Sequence, residues 1–232
     1  MRNNAILQSL RGGLIVSCQA LPHEPLHGSS VMAKMAVAAQ QGGACGIRAN
    51  TVKDIIAIQS VVDLPIIGII KQEYANSEVY ITPTMKEVNA LATIGVNIIA
   101  SDATNRLRPH GESLTDFFRK ARKAHPDILF MADCASLDEA IAAAGMGFDI
   151  VATTLSGYTP DTKGAPAPDF PLLAAMRECI NLPIIAEGGI HTPEQAAEAL
   201  RLGAFAIVVG GAITRPQEIT KRFSAAINAE KA

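Results

Sequence analysis

The chain has 232 residues, 49% of them apolar and 18% charged, with a formal net charge of -2. This balance leaves no electrostatic footprint for nucleic acid, and 4% aromatics without a Trp leave few platforms for stacking single strands. No apolar run reaches the roughly 18 residues of a membrane helix, and the opening MRNNAILQSLRGG has neither the apolar stretch nor the cleavage site of a secretory leader, so a cytoplasmic protein of one domain, 1–232, is expected.

In chain order, short runs rich in Ile and Val alternate with longer stretches rich in Ala, Leu and Glu. The first run, Gly13–Gln19, precedes a helical stretch at Ser30–Gln41. Ala44–Arg48 precedes Val52–Val61, and Pro65–Lys71 precedes Thr84–Ile94. Asn97–Ser101 precedes Ser113–Ala124, and Ile128–Asp133 precedes Leu137–Ala144. Asp149–Thr153 precedes Asp169–Cys179, Pro183–Glu187 precedes Pro193–Leu202, and Ala204–Gly210 precedes Pro216–Asn228. Near-continuous apolarity suits strands buried on both faces of a parallel sheet. Ser136 and Thr192 stand as hydroxyl caps before acidic first turns, with Pro193 at a first helical position. Gly95, Gly145 and Gly203 fall where helices should stop. Eight strand–helix units of about 29 residues point to an α/β fold, a closed (β/α)8 TIM barrel. An open doubly wound sheet is the alternative, but no GxGxxG loop occurs.

In such a barrel the site lies at the C-terminal ends of the strands. Those ends carry Gln19, Arg48, Lys71, Asp102 with Thr104, Asp133, Thr153 with Thr154, Glu187, and Gly210 with Gly211. The pairs Gly188-Gly189 and Gly210-Gly211 lie in the loops after strands 7 and 8. Backbone N–H groups approach a phosphate closely at glycine, and Arg215 supplies a charge-assisted partner. Lys71 ends an otherwise apolar strand, where partial desolvation lowers a lysine pKa and makes it a base. Glu187 ends the strand across the barrel. A salt bridge closing the barrel top is the plainer reading of that pair.

Metal chemistry is not expected. His23, His27, His110, His125 and His191 all fall in loops or on the surface, with no HxH or HExxH spacing. Asp102 and Asp133 alone make a thin case for Mg²⁺. Cys18, Cys45, Cys134 and Cys179 form no CxxC pair and read as reduced, mostly buried thiols.

Taken together, GGLIVSCQ (12–19), IR (47–48), PIIGIIK (65–71), TTLSGYT (153–159), IAEG (185–188) and VGGAITR (209–215) resemble the bacterial N-acetylmannosamine-6-phosphate 2-epimerases along nearly the whole chain. Ser101 before Asp102 departs from the expected larger apolar residue. The resemblance implies a (β/α)8 enzyme of sialic-acid catabolism. It would interconvert N-acetylmannosamine 6-phosphate and N-acetylglucosamine 6-phosphate without metal or organic cofactor. Lys71 and Glu187 would form the catalytic pair. Gln19, Arg48, Asp133 and Thr153 would surround the sugar, and Gly188, Gly189, Gly210, Gly211 and Arg215 would take the phosphate. Its partners would be the sugar phosphate and a second copy in a homodimer, with no nucleic acid or membrane. Two readings compete. A pentose-phosphate epimerase would want paired aspartates and metal-binding histidines where Gln19, Arg48 and Lys71 stand. A sugar-phosphate sensor would not need Lys71 and Glu187 together.

Overall fold

A computed structural model describes residues 2–231. Eight parallel strands close into one barrel in sequence order: β1 (Leu14–Cys18), β2 (Gly46–Asn50), β3 (Ile66–Ile69), β4 (Ile98–Asp102), β5 (Leu129–Asp133), β6 (Ile150–Ala152), β7 (Ile184–Glu187) and β8 (Ala206–Val209). β8 pairs back onto β1, with Leu14 opposite Ile207 and Val16 opposite Val209. The helices are α1 (Arg2–Leu10), α2 (Ser29–Gln41), α3 (Val52–Gln59), α4 (Met85–Thr93), α5 (Leu114–Ala124), α6 (Leu137–Met146), α7 (Phe170–Cys179), α8 (Pro193–Arg201) and α9 (Pro216–Ala229).

The strands sort their side chains by alternation. In β5, Leu129 and Met131 fill the barrel interior, while Phe130 and Ala132 pack under the helices. Ile67 and Ile69 of β3 point inward, as does Ile185 of β7. Gly68 faces outward, where a Cβ would come within 2.9 Å of Val96 and 3.0 Å of Leu91. Counting onward by two from the inward residues reaches Lys71, Asp133 and Glu187. The barrel's own periodicity therefore aims these side chains into its mouth.

Most helix ends follow the expected chemistry. Ser136 with Glu139 and Thr192 with Gln195 form capping boxes, and Thr84 with Glu87 forms a third. Gly95 and Gly203 take positive φ, 70° and 96°, just past their helices. Gly145 does not end α6: that helix runs on to Met146, and Gly147 takes the left-handed turn at φ 98°. Of the two neighbouring glycines, the second terminates the helix because its N–H reaches the carbonyl of Ala144.

The alternating runs predict no helix before β1, yet α1 stands there. This helix has no acidic first turn or basic last turn, yet Ile6, Leu7 and Leu10 lie on one side and join the interior cluster of the barrel. Leu10 is buried, and its Cδ2 would lie 2.7 Å from a Cβ on Gly46. The helix thus plugs the N-terminal end of the barrel and leaves the C-terminal end as the open one.

The loop between β3 and α4 is a short hairpin. Lys71 bridges antiparallel to Ile81, and Tyr74 to Ser77. Arg108 fixes its base: the buried guanidinium donates to the carbonyls of Thr82 (3.1 Å), Pro83 (2.9 Å) and Asp102, and lies 3.6 Å from the Phe117 ring centroid.

Candidate active site

The open end of the barrel holds a cavity of about 460 Å³. Gln19, Arg48, Lys71 and Glu187 line it, with Gly188, Gly189, Gly210, Gly211 and Arg215 toward the β7–β8 side. Asp133 and Thr153 do not line it. Asp133 lies beneath, fully buried, and holds Arg48 in a two-pronged pair: Nη1 to Oδ1 at 3.0 Å and Nη2 to Oδ2 at 2.7 Å. The Thr153 hydroxyl is spent on the backbone of Glu187, donating to its carbonyl at 2.8 Å and accepting from its N–H at 3.1 Å. Counting by two from Ile150 and Ala152 reaches Thr154, not Thr153, and Thr154 is the one that lines the cavity. Strand parity is the signal that finds it.

Arg48 also reaches Glu187, Nη1 to Oε2 at 2.9 Å. Thr154 Oγ1 lies 2.7 Å from Asp133 Oδ1 and 3.2 Å from Glu187 Oε2. A hydroxyl carries one proton and two lone pairs. Thr154 donates that proton to one carboxylate at a time, Asp133 or Glu187, and donation to Glu187 favours its ionised form.

The electrostatics bring two groups toward neutrality. Burial lowers Lys71 to about 8, helped by the positive Arg48 and Arg215 and opposed by Glu187 and Asp133. Burial raises Glu187 to about 7; Arg48 opposes this, and the nearby Asp133 charge adds to it. Arg48, paired with both carboxylates, is held firmly cationic. One protein cavity therefore presents an amine and a carboxyl that both exchange protons near physiological pH.

The β7–β8 side is built differently. Gly188 and Gly189 both take positive φ, 107° and 68°, and a Cβ on Gly189 would strike Ala167 at 2.5 Å. Arg215 pairs with Glu24 of the β1–α2 loop, Nε to Oε1 at 2.7 Å. Leu21 N and Gln217 Nε2 hold the same carboxylate at 2.6 and 3.1 Å. Against a desolvation that raises it, the Leu21 N–H and then Arg215 hold Glu24 below its ordinary pKa. Glu24 is not legible in the sequence, because a loop glutamate 191 residues from its arginine leaves no local signal. His23 and His191, expected in loops or on the surface, stand exposed at the cavity rim.

Gln19 offers a further mark. Its Nε2 donates to Ser17 Oγ at 2.8 Å, while its buried Oε1 has no partner among the described residues. A buried acceptor left open at a cavity wall takes its donor from what fills the cavity, water or ligand. Among the described residues no three His, Cys, Asp or Glu side chains gather as a metal site. Asp102 is engaged elsewhere, by Arg106 (2.6 Å) and the Thr104 hydroxyl (2.7 Å). Cys18 and Cys134 are buried, Cys45 is partly buried and Cys179 is exposed; all four are free.

The family described as "Putative N-acetylmannosamine-6-phosphate epimerase" matches residues 32–229. The chain belongs to this family. Relatives bearing the corresponding 2-epimerase name include one from Listeria welshimeri, 56% identical over 95% of this chain and 94% of its own. One from Enterobacter sp. strain 638 is 54% identical over 97% and 96%. A solved structure of the N-acetylmannosamine-6-phosphate 2-epimerase from Clostridium perfringens superposes with a TM-score of 0.91 at 52% identity, covering 95% of this chain and 96% of that one. The thiamine phosphate pyrophosphorylase of Pyrococcus furiosus, at 17% identity and a TM-score of 0.62, shares the fold alone. The barrel that the epimerase family uses is therefore the one read from the alternating runs. No helix among the described residues is long and apolar enough to cross a membrane.

Proposed function

We propose that the protein interconverts N-acetylmannosamine 6-phosphate and N-acetylglucosamine 6-phosphate, removing and returning the proton on carbon 2, in the cytoplasm, as a step of sialic-acid breakdown. The observation that carries this reading is the pairing of Lys71 and Glu187 in one cavity, each shifted toward neutrality from its own side. Family membership supports it independently.

The hydrogen on carbon 2 of the closed sugar is poorly acidic. Ring opening exposes an aldehyde at carbon 1 and makes that hydrogen removable, and the resulting negative charge needs donors placed where it develops. Lys71, neutral for a substantial fraction of the time near pH 8, takes the proton. Glu187 serves as the second acid–base group. Gln19 accepts from the sugar through its open Oε1. Arg48 faces the sugar from its carboxylate pair, Asp133 holds Arg48, and Thr153 holds the Glu187 backbone. The phosphate takes the Gly188-Gly189 and Gly210-Gly211 backbones and Arg215. No metal is required in this scheme: the Arg48 guanidinium offsets the charge of Asp133 and also contacts Glu187, whose raised pKa of about 7 leaves it partly protonated at neutral pH.

The working unit is a homodimer. None of the residues of α9 is buried, and Phe223 and Ile227, one turn apart, are 69% and 57% exposed. A second copy covers that face. Solution mass at micromolar concentration tests this: a dimer that Phe223→Glu converts to monomer supports it, and a wild-type monomer contradicts it.

The test of the activity is incubation of purified, chelator-treated protein with N-acetylmannosamine 6-phosphate. N-acetylglucosamine 6-phosphate as product is expected. Binding without turnover would favour a sensor, and activity restored only by added divalent metal would overturn the metal-free scheme.

A further inference from the structure

The strand order sets the direction in which a substrate lies. β3 stands opposite β7 in the eight-strand ring. If the phosphate sits at β7 and β8, carbons 1 and 2 of a hexose 6-phosphate lie toward β3 and the hairpin that follows it. Two side chains of that hairpin, Tyr80 and Ile81, line the cavity next to Lys71 and Ile69. Ile81 is the direct cross-strand partner of Lys71, so the two side chains share a face and stand as neighbours.

The hairpin holds these residues in place. Gln72 N donates to the Tyr80 carbonyl at 2.9 Å, and Asp102 N to the Ile81 carbonyl at 3.0 Å. Ser77 Oγ donates to the Leu107 carbonyl at 2.9 Å, tying the tip to the next loop. The Tyr80 hydroxyl makes no hydrogen bond to a described side chain or backbone group, and the residue, half-buried, stands on the cavity wall. A tyrosine placed this way presents an apolar ring and an unspent donor to whatever fills the cavity. Burial and the charges of Asp133 and Asp102 keep the phenol protonated, hence a donor, at neutral pH.

We infer that Tyr80 and Ile81 recognise the acetamido group on carbon 2, Tyr80 donating its hydroxyl proton to the acetamido carbonyl oxygen and Ile81 packing against the methyl. An acetamido group has these two demands side by side, one polar and one apolar. Its position is constrained too, since it is bonded to the carbon whose hydrogen must reach Lys71, the neighbour of Ile81. Tyr80 is thus a specificity residue for the substituent, separate from the acid–base pair. This inference rests on the epimerase reading above.

The experiment compares ligands that differ only at carbon 2. Tyr80→Phe keeps the ring and removes the donor. It should raise KM for N-acetylmannosamine 6-phosphate by roughly 2- to 12-fold, the worth of one neutral hydrogen bond. The inhibition constant of mannose 6-phosphate, which has a hydroxyl there, should stay within about twofold of wild type. Ile81→Ala, which opens room beside the methyl, should shift the ratio of kcat/KM for the N-propanoyl over the N-acetyl substrate by about 10-fold or more, with Ile81→Val shifting it in the same direction should the alanine variant fail to fold. An equal loss for both ligands in Tyr80→Phe would mean that Tyr80 only supports the hairpin, and an unchanged KM would mean that its hydroxyl faces no substrate; either overturns the inference while leaving the epimerase intact. Failure of the epimerase reading itself shows earlier, as wild-type protein that does not turn over the N-acetyl sugar phosphate.

Discussion

The two ends of the cavity are made from different material. At one end, Arg48, Asp133, Thr154 and Glu187 form a closed set of short contacts, with Arg48 and Asp133 at 1% and 0% side-chain exposure. All stand on strands or one or two residues beyond a strand end. At the other end, Arg215 is 22% exposed, and its partner Glu24 comes from a loop. Strands set side-chain positions within a fraction of an ångström, whereas loops adapt. Proton transfer needs the former, because a reacting atom must meet a base at one distance. Phosphate recognition tolerates the latter, because charge acts over a longer range and several backbone N–H groups share the load. The contrast predicts that damage at the first end lowers kcat and stability, and damage at the second raises KM.

The largest effect is expected at Lys71 and Glu187, the pair proposed to move the proton. Lys71→Ala should lower kcat by roughly 10²- to 10⁴-fold, the usual cost of losing a general base. Glu187→Gln should be severely impaired while still binding sugar phosphate. In the wild type, kcat/KM should follow a bell with limbs near 7 and 8. Below the lower value both groups carry their protons and above the higher one both have lost them, so the rate falls on each side whichever group acts first. Loss of one limb in Glu187→Gln would confirm that the carboxyl titrates in the active form. A flat profile between pH 6 and 9 would separate the pair from the chemistry.

Next in size is Asp133→Ala. It removes the two-pronged partner of a buried guanidinium and should cost about 3–5 kcal/mol in unfolding free energy, read by urea denaturation. A loss below 1 kcal/mol would show that the floor of the cavity is not held by this pair. Smaller still is Arg215→Ala. Losing one charge-assisted contact to the phosphate costs about 1.5–3 kcal/mol, or roughly 10- to 150-fold in kcat/KM carried mainly by KM. Unphosphorylated N-acetylmannosamine should be a poor substrate. A variant that lowered kcat instead, or equal turnover of the two sugars, would erase the distinction between the two ends.

The same contrast governs what the sequence makes legible. Strand ends are countable, so Gln19, Arg48, Lys71 and Glu187 stand out from the apolar runs before them, and they do converge on the cavity. Alternation within a strand is countable as well, and it separates Thr154 from Thr153 and places Asp133 in register with Asp102. The glycine pairs are visible as pairs, but only backbone angles distinguish Gly188 and Gly189 from Gly210 and Gly211, which do not take positive φ. What escapes is whatever closure of the barrel brings together. Arg48 meets Asp133 85 residues away and Glu187 139 residues away. Glu24 meets Arg215 across nearly the whole chain. α1 escapes for another reason: its three large apolar residues, Ile6, Leu7 and Leu10, matter only because an open barrel end needs filling. Tyr80 sits in a hairpin whose turns carry no Asn-Gly or Gly-Gly signal.

In the proposed reaction a proton leaves carbon 2 and one returns to it. Turnover of N-acetylmannosamine 6-phosphate in D2O, followed by NMR of the product, measures this directly. A side chain such as Lys71, in a cavity open to water, exchanges its proton with solvent. N-acetylglucosamine 6-phosphate carrying solvent deuterium at carbon 2 is the predicted result, with Lys71→Ala forming almost none. Product formed at the normal rate with no deuterium at carbon 2, or Lys71→Ala turning over near the wild-type rate, would contradict the account.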